Sequence, residues 1–340
     1  MKILITGGAG FLGFHLAHGL SHNHRLLDIA PFAPEEHSHQ VEKVTADVRD
    51  LDAVQKAMEG CDVVIHAAAG LPLWKPKEIR SVNLEGTRTV LQAAKNQGLS
   101  RVIYISSTAV YGIPDHHPLS EDDTLVGVGP YGESKVQAER LCREAREQGQ
   151  CVTILRPKTF IGAERLGVFQ ILYDWVAEGR RIPVLGNGKN QYQLLAVEDL
   201  VEAVSVVLNA PSAEANQTFN VGAKVFGTVE EDLTQLFQHA GTESRVFPVP
   251  ALPAKTLLAI LDFFHCSPLY KWIYATADQD SFVQVDKLEQ LGWTPKHSNA
   301  STLMATWDWY KENKDKLPQT GTGHRVPWSE GALRWVRKWM

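Results

Sequence analysis

The chain opens on a short apolar run, Lys2-Ile-Leu-Ile-Thr6, then a glycine cluster, then Phe11, Leu12, Leu16 and Leu20 at helical spacing. A brief apolar run bounded by turn residues predicts a buried strand, and apolar recurrence near every 3.6 residues predicts a helix. The alternation repeats. Strands are predicted at residues 25–29, 43–47, 62–69, 101–106 and 151–157. A helix over about 78–96 sets Val82, Gly86, Val90 and Ala94 on one face, and another carries residues 131–135. Strict strand–helix alternation predicts an α/β chain with a doubly wound parallel sheet, right-handed crossovers, and ligands outside the carboxyl ends of the strands. Past residue 157 the rhythm loosens into a helix over 169–178, a turn at Gly186-Asn-Gly188, a short run at 194–197 leading into a helix, and a late strand over 217–221. The predicted organisation is a sheet domain of residues 1–165 and about 190–222, and a smaller mixed lobe of about 166–189 and 223–320. An amphipathic helix over 321–340 completes it.

Glycines at 7, 10 and 13 follow the first strand and open the first helix. This spacing permits a tight turn, brings backbone N–H groups against a pyrophosphate, and packs the helix close to the sheet, so Gly7, Gly10, Phe11, Leu12 and Gly13 are expected to cradle a dinucleotide in a Rossmann-type sheet. Asp28 ends the second predicted strand, where a carboxylate accepts from the adenosine ribose hydroxyls and repels a 2′-phosphate; this predicts NAD rather than NADP. The competing role for Asp28 is to cap its own loop. Asp47 and Val48 fall where an adenine would lie, and Ala67, Ala68 and Ala69 are small enough for backbone and cofactor to meet. Asn83 is expected to bridge strands or water near the centre of the site. His66 reads as structural filler or as a catalytic group. His15, His18 and His22 read as a solvated helix face opposite Leu12, Leu16 and Leu20, with a metal site as the alternative.

Tyr131 and Lys135 stand four apart and so share one helix face. A free tyrosine ionises near pH 10, and a neighbouring ammonium favours the phenolate. The pair therefore predicts a tyrosine general base.

Composition narrows the partners. A net charge of −5 gives no electrostatic case for nucleic acid. The four cysteines include no Cys-x-x-Cys pair, which argues against a zinc site or a disulfide framework and fits a reducing, cytoplasmic setting. No stretch reaches the roughly 20 apolar residues of a membrane span, and the strand at the very N-terminus leaves no room for a signal peptide.

Together, Thr6 to Gly13, Asp28, Asp47-Val48, His66 to Ala69, Asn83, Ser106 to Gly112, Tyr131 to Lys135 and Arg156-Pro157 resemble the extended short-chain dehydrogenase/reductase superfamily, which holds the NAD-dependent epimerases and dehydratases and the 3β-hydroxysteroid dehydrogenase-like enzymes. The resemblance covers residues 1 to about 222, with Asp286-Lys-Leu-Glu-Gln-Leu-Gly-Trp-Thr-Pro295 as a looser mark. It implies Ser107, Tyr131 and Lys135 as the catalytic set, Ser107 holding the substrate hydroxyl with Ser106 as the competing assignment, and it places Ser106 and Pro157 along the cofactor site. It implies hydride transfer at a secondary alcohol or ketone, and a homodimer built on the Tyr131 helix and its neighbour. Thr108 and Ala109 occupy the positions where 4,6-dehydratases carry an Asp and a Glu, so that reaction is not expected. Thr159 and Tyr192 stand where nucleotide-sugar enzymes carry an Asn and an Arg. With Ser107 and Thr108 they are the candidate substrate contacts, and Lys158, Lys189 or Arg165 would have to replace the missing charge.

The second lobe carries a long apolar stretch, from Pro248 through Leu257, Leu258, Leu261 and Phe264 to Tyr274. It is similar to the 3β-hydroxysteroid dehydrogenase-like branch and points to net oxidation or reduction of a moderately apolar small molecule. The alternatives are a nucleotide-sugar epimerase, an NAD-binding regulatory protein without catalysis, and, for the stretch itself, a plain lobe core. Trp328 to Met340 places Ala332, Trp335 and Trp339 on one helical face beside Arg334, Arg337 and Lys338. Packing on its own domain or on a sister subunit is favoured there over contact with a membrane surface.

Overall fold

The computed structural model describes residues 1–316 apart from 34, 39–40, 73, 165, 167–168 and 264–270. The predicted helix over 321–340, Arg165 and Phe264 lie outside the described residues.

Strand β1 (Lys2–Thr6) runs through the glycine turn into helix α1 (Phe11–Gly19) and on to β2 (Asn23–Asp28) and β3 (Glu42–Thr45). Helix α2 (Leu51–Met58), β4 (Val63–His66), α3 (Pro76–Gln97), β5 (Arg101–Ile105), α4 (Gly129–Glu147) and β6 (Val152–Pro157) complete the regular alternation. Next come β7 (Thr159–Ile161), α5 (Phe169–Ala177), β8 (Arg181–Leu185), β9 (Leu194–Ala196), α6 (Val197–Asn209), α7 (Ser212–Ala215) and β10 (Thr218–Val221). The lobe ends with α8 (Val229–Ala240), β11 (Arg245–Val249), α9 (Ala251–Phe263), α10 (Lys271–Thr276), α11 (Asp286–Glu289) and α12 (Asn299–Asn313).

Seven strands form one sheet in the order β10-β6-β5-β4-β1-β2-β3, and every pairing is parallel. The predicted doubly wound sheet is the one observed, and the late strand at 217–221 is its outer strand β10. The order reverses between β1 and β4, which opens a crevice at their carboxyl ends, the usual ligand site of such sheets. Predicted strand ends shift a little. The fourth strand stops at His66, so Ala67 to Ala69 form the loop that follows it, and the third stops at Thr45, leaving Asp47 in a loop.

The sheet is buried on both faces, which is why its strands read as near-continuous apolar runs. One face packs Ile3, Ile5, Ile65, Ile103 and Leu155 under α1 and α6, and the other packs Leu4, Val64, Val102 and Ile154 under α2, α3 and α4. Each such side chain contributes roughly 1.5–3 kcal/mol of burial. Helix α3 starts with Pro76 in its first turn and ends at Gly98, whose left-handed φ of 66° lets its N–H bond back to Ala94 and Lys95. On α4, Ser134, Lys135, Ala138, Glu139, Cys142 and Ala145 are buried at helical spacing. Tyr173, Trp175, Leu236, Leu303 and Trp307 form a third core around α5, α8 and α12. The two small parallel pairs, β8 with β11 and β7 with β9, had no signature in the sequence pattern.

The apolar stretch is split: Tyr274 is buried, whereas part of α9 faces outward among the described residues. Leu252, Leu257 and Ile260 of α9 are exposed, at 80%, 58% and 51%. None of the helices among the described residues is long and apolar enough to cross a membrane.

Candidate active site

The glycine turn is held tightly. Gly7 has φ 75°, and a β-carbon there would come within 2.8 Å of the Ala68 nitrogen; one on Gly13 would come within 2.2 Å of the Gly7 carbonyl oxygen. No side chain caps the start of α1, so the amides of its first turn, at Phe11 and Leu12, retain their donor capacity. Thr6 accepts from the Ala68 N–H at 3.3 Å and meets His66 Nδ1 at 2.7 Å, tying the loop after β4 to the end of β1. A backbone cradle that leaves no room for a β-carbon, at the positive end of a helix, fits the pyrophosphate of a dinucleotide.

Asp28 stands at the end of β2, half-buried, and accepts from the Ala9 N–H at 3.0 Å and the Ala30 N–H at 2.9 Å. It therefore does cap its loop, yet a carboxylate has about four acceptor sites, which leaves capacity for ribose hydroxyls. Burial pushes its pKa up, against the pull of the backbone N–H groups of Ala30, Ala9 and Ile29. Asp47 is engaged by Arg49, whose Nε lies 2.9 and 3.0 Å from its two oxygens; this hydrogen bonding holds the carboxyl below its usual range. Val48 is buried beneath α3 at Gly86.

Asn83 is a junction. Its Oδ1 accepts from the Gly70 N–H at 2.8 Å, its Nδ2 donates to Ser134 Oγ at 2.8 Å, and Ser134 in turn donates to the Tyr131 carbonyl at 2.7 Å. The loop after β4 and the first turn of α4 are thus joined through one amide. His66 sits between Thr6 and Thr87 (3.2 Å), and burial, assisted by Lys135, lowers its pKa to about 3. It is a neutral structural ring. His15 is half-buried against the Ala163 carbonyl at 3.0 Å, whereas His18 turns back to the Phe14 carbonyl at 2.8 Å, so the first helix is not a uniformly solvated histidine face.

The two serines after β5 part ways. Ser106 Oγ donates to Glu139 Oε1 at 2.6 Å, inside a buried ion pair of Glu139 with Arg156 at 2.7 Å. Ser107 lies near enough to the Tyr131 hydroxyl to draw its pKa down, and accepts from the Ala109 N–H at 3.2 Å. Lys135 Nζ donates to the Ile105 carbonyl at 2.8 Å and lies 5.9 Å from the centre of the Tyr131 ring. Burial lowers the Lys135 pKa to about 8. Although Tyr131 keeps some solvent exposure, the crowding around its hydroxyl pushes it up to about 12, against the pull of nearby Ser107. That is the opposite of the shift expected from a neighbouring ammonium: at this separation, with Lys135 turned to a carbonyl, desolvation prevails.

Glu139 is the residue that sequence reasoning missed. Its signal was its place four after Lys135, on the same helix face. Pro157 ends β6 opposite Val221. Thr108 is buried, and its hydroxyl has no hydrogen-bond partner among the described residues. Thr159 and Tyr192 meet hydroxyl to hydroxyl at 3.5 Å. Of the replacement cations, Lys189 pairs with Glu230 at the surface (2.5 Å), and Lys158 is buried.

Residues 3–222 match the profile of the family described as NAD dependent epimerase/dehydratase. The chain is 34% identical over 331 residues to the uncharacterized protein y4nG of Sinorhizobium fredii, covering 95% of this chain and 82% of that one. It is 27% identical to UDP-glucose 4-epimerase of Lactobacillus helveticus, covering 92% and 98% of the two chains. The crystal structure of UDP-glucose 4-epimerase from Thermotoga maritima, with UDP-glucose, superposes with a TM-score of 0.77 at 22% identity, covering 92% of this chain and 100% of that one. The glycine cradle, the carboxylate at the end of β2 and the match over residues 3–222 lead to one conclusion: this chain belongs to the NAD-dependent epimerase/dehydratase family, and NAD is its cofactor.

Proposed function

We propose that the protein oxidises a secondary alcohol of a nucleotide-linked sugar transiently and returns the hydride to the same carbon, as a nucleotide-sugar epimerase. The observation that carries this reading is the placing of Tyr131, Lys135 and Ser107 together at the carboxyl edge of the sheet, Tyr131 and Lys135 one turn apart on α4 and Ser107 directly after β5. Tyr131 takes the proton of the substrate hydroxyl and later returns it, Ser107 holds that oxygen in place, and Lys135 supplies positive charge beneath the phenol. When bound, NAD supplies the hydride acceptor and a further positive charge near the tyrosine. Gly7 to Gly13 and Asp28 would hold its pyrophosphate and ribose.

Among related reactions, elimination of water needs an acid and a base beside the serine, and Thr108 and Ala109 provide neither. The exposed apolar face of α9 weakens the case for a steroid-like substrate, since Leu252, Leu257 and Ile260 stand open among the described residues. The relative from Lactobacillus helveticus favours the sugar-nucleotide reading instead.

The test uses the protein with NAD and UDP-glucose, with product followed by proton NMR at the anomeric signals. UDP-galactose is expected from the wild type. Tyr131→Phe is expected to lose at least about a thousandfold in turnover, within the range for a general acid–base, while binding NAD as before. Undiminished turnover in that variant would overturn the mechanism. A wild type that reduces or oxidises substrate only with stoichiometric exchange of NADH would overturn epimerisation.

A further inference from the structure

Three cations are buried along the carboxyl edge of β5 and β6, and two of them have partners within the chain. Arg156 is paired with Glu139, and Lys135 donates to the Ile105 carbonyl within the field of Glu139. The third, Lys158, follows the end of β6 directly and is 3% exposed. Its ammonium donates to Ser281 Oγ at 2.7 Å and lies 5.1 Å from the centre of the Tyr192 ring. Among the described residues no carboxylate forms an ion pair with it. Asp280, the nearest in sequence to Ser281, is exposed and accepts from the Gln191 N–H at 2.8 Å.

The backbone around Lys158 is firmly fixed. Its N–H donates to the Val221 carbonyl at 2.8 Å, Tyr192 bridges to Ser281, and the Ser281 N–H donates to the Gln191 carbonyl at 2.8 Å. His117 closes another side through Phe282, with its Nδ1 2.9 Å from the Phe282 carbonyl. The ammonium is thus met by a hydroxyl and an aromatic face from two other segments of the chain. An ammonium has three donors, and an unpaired buried charge is costly. An apolar side chain of similar length would fill the space without that cost. A lysine here calls for a negative group beyond those the described residues supply. Because β5 and β6 are parallel with Ile105 opposite Leu155, Lys158 leaves the sheet on the same edge as Ser107, one strand over.

We propose that Lys158 is a specificity-determining residue that receives an anionic group of the substrate, a phosphoryl or carboxylate oxygen, with Ser281 and Tyr192 holding the ammonium in place. The proposal rests on the reading of this edge as the substrate site. Burial lowers the pKa of Lys158 to about 7, so an arriving anion would also recharge it.

The test compares wild type, Lys158→Met and Lys158→Arg as full chains with NAD present, titrated with pyrophosphate, UDP, UDP-glucose and UDP-glucuronate by calorimetry. Lys158→Met is expected to weaken binding by about tenfold or more, the worth of a charge-assisted contact, with NAD binding unchanged and partial recovery in Lys158→Arg. Weakening shared by UDP and UDP-glucose assigns the contact to phosphoryl. Weakening confined to UDP-glucuronate, relative to UDP-glucose, assigns it to carboxylate. Equal affinities of wild type and Lys158→Met for every ligand that binds would overturn the proposal. If the wild type binds none of these compounds, the nucleotide-sugar reading fails, and the stability of the free proteins at pH 6 decides on Lys158. A higher melting temperature for Lys158→Met supports a charge held at the expense of stability, whereas an equal or lower one makes Lys158 a structural residue and ends the proposal.

Discussion

Glu139 offers a sharp test of how the site is held. Its carboxylate is fully buried and accepts from Ser106 at 2.6 Å, from Arg156 at 2.9 and 2.7 Å, and from Arg143 at 2.7 Å. Glu139→Ala leaves the Arg156 guanidinium, 1% exposed, without its counter-charge. Removing one member of a buried pair costs about 3–5 kcal/mol, and the low end applies here, because Arg156 keeps the Tyr111 hydroxyl at 2.8 Å and the Glu121 carbonyl at 2.9 Å. With an unfolding entropy of about 2.1 cal/mol/K per residue over 340 residues, 3 kcal/mol corresponds to a fall of roughly 4 °C in melting temperature. Urea unfolding read by tryptophan fluorescence gives the free energy, and calorimetry gives the temperature. The double variant Glu139→Leu/Arg156→Met should recover much of the loss, since replacing both charges by apolar groups removes the desolvation cost together with the attraction. A loss below about 1 kcal/mol in Glu139→Ala, or a double variant whose loss equals the sum of the singles, would refute the reasoning.

Three further outcomes follow from the geometry. Gly13→Ala places a methyl group 2.2 Å from the Gly7 carbonyl oxygen, so the cradle must open; NAD affinity measured by calorimetry is expected to fall by at least about a hundredfold, the effect of ångström-scale misplacement. Ser107→Ala is expected to lower kcat about a hundredfold or more, as loss of an oriented hydroxyl does, whereas Ser106→Ala is expected to act mainly on stability, by roughly 1–3 kcal/mol, through its Glu139 contact. His66, with its pKa lowered to about 3, stays neutral in the fold while the unfolded chain takes up its proton near 6.5. Stability therefore falls as pH drops from 6.5 toward 3, by roughly 2–3 kcal/mol at pH 4.5; urea titrations of His66→Asn should show a flatter acid limb than the wild type.

The sheet was legible because its signals are local. An apolar run, a glycine turn and a helical repeat each fit within about 15 residues, and their alternation leaves few topologies. The cradle was legible for the same reason, since glycine at 7 and 13 answers to close approach of the chain to itself. What was not legible depends on long-range pairing. Ser106 and Ser107 are chemically identical neighbours, and only Glu139, 33 residues on, separates them. The ionic state of Tyr131 turns on where Lys135 points, and Lys135 points to the Ile105 carbonyl. The outward-facing Leu252, Leu257 and Ile260 were not legible, because periodicity reports amphipathic character without saying whether anything covers it. Lys158 was visible as a cation, but its isolation from carboxylates needed Ser281, which lies 123 residues away.

The late arrival of β10 bears on how the protein is made. Strand β6 ends at Pro157, and its outer neighbour begins at Thr218, so residues 158–217 must be synthesised before that edge is covered. At about 5–20 residues per second this takes roughly 3–12 s. Meanwhile β1 to β6 can assemble and Arg156 can find Glu139, but the backbone groups of β6 that belong to β10 face water or a neighbouring nascent chain. An open parallel edge rich in Val, Ile and Leu is a template for aggregation. Slow translation between residues 158 and 217 is therefore expected to lower the soluble yield of this chain, through an edge that is fully paired once the protein is complete.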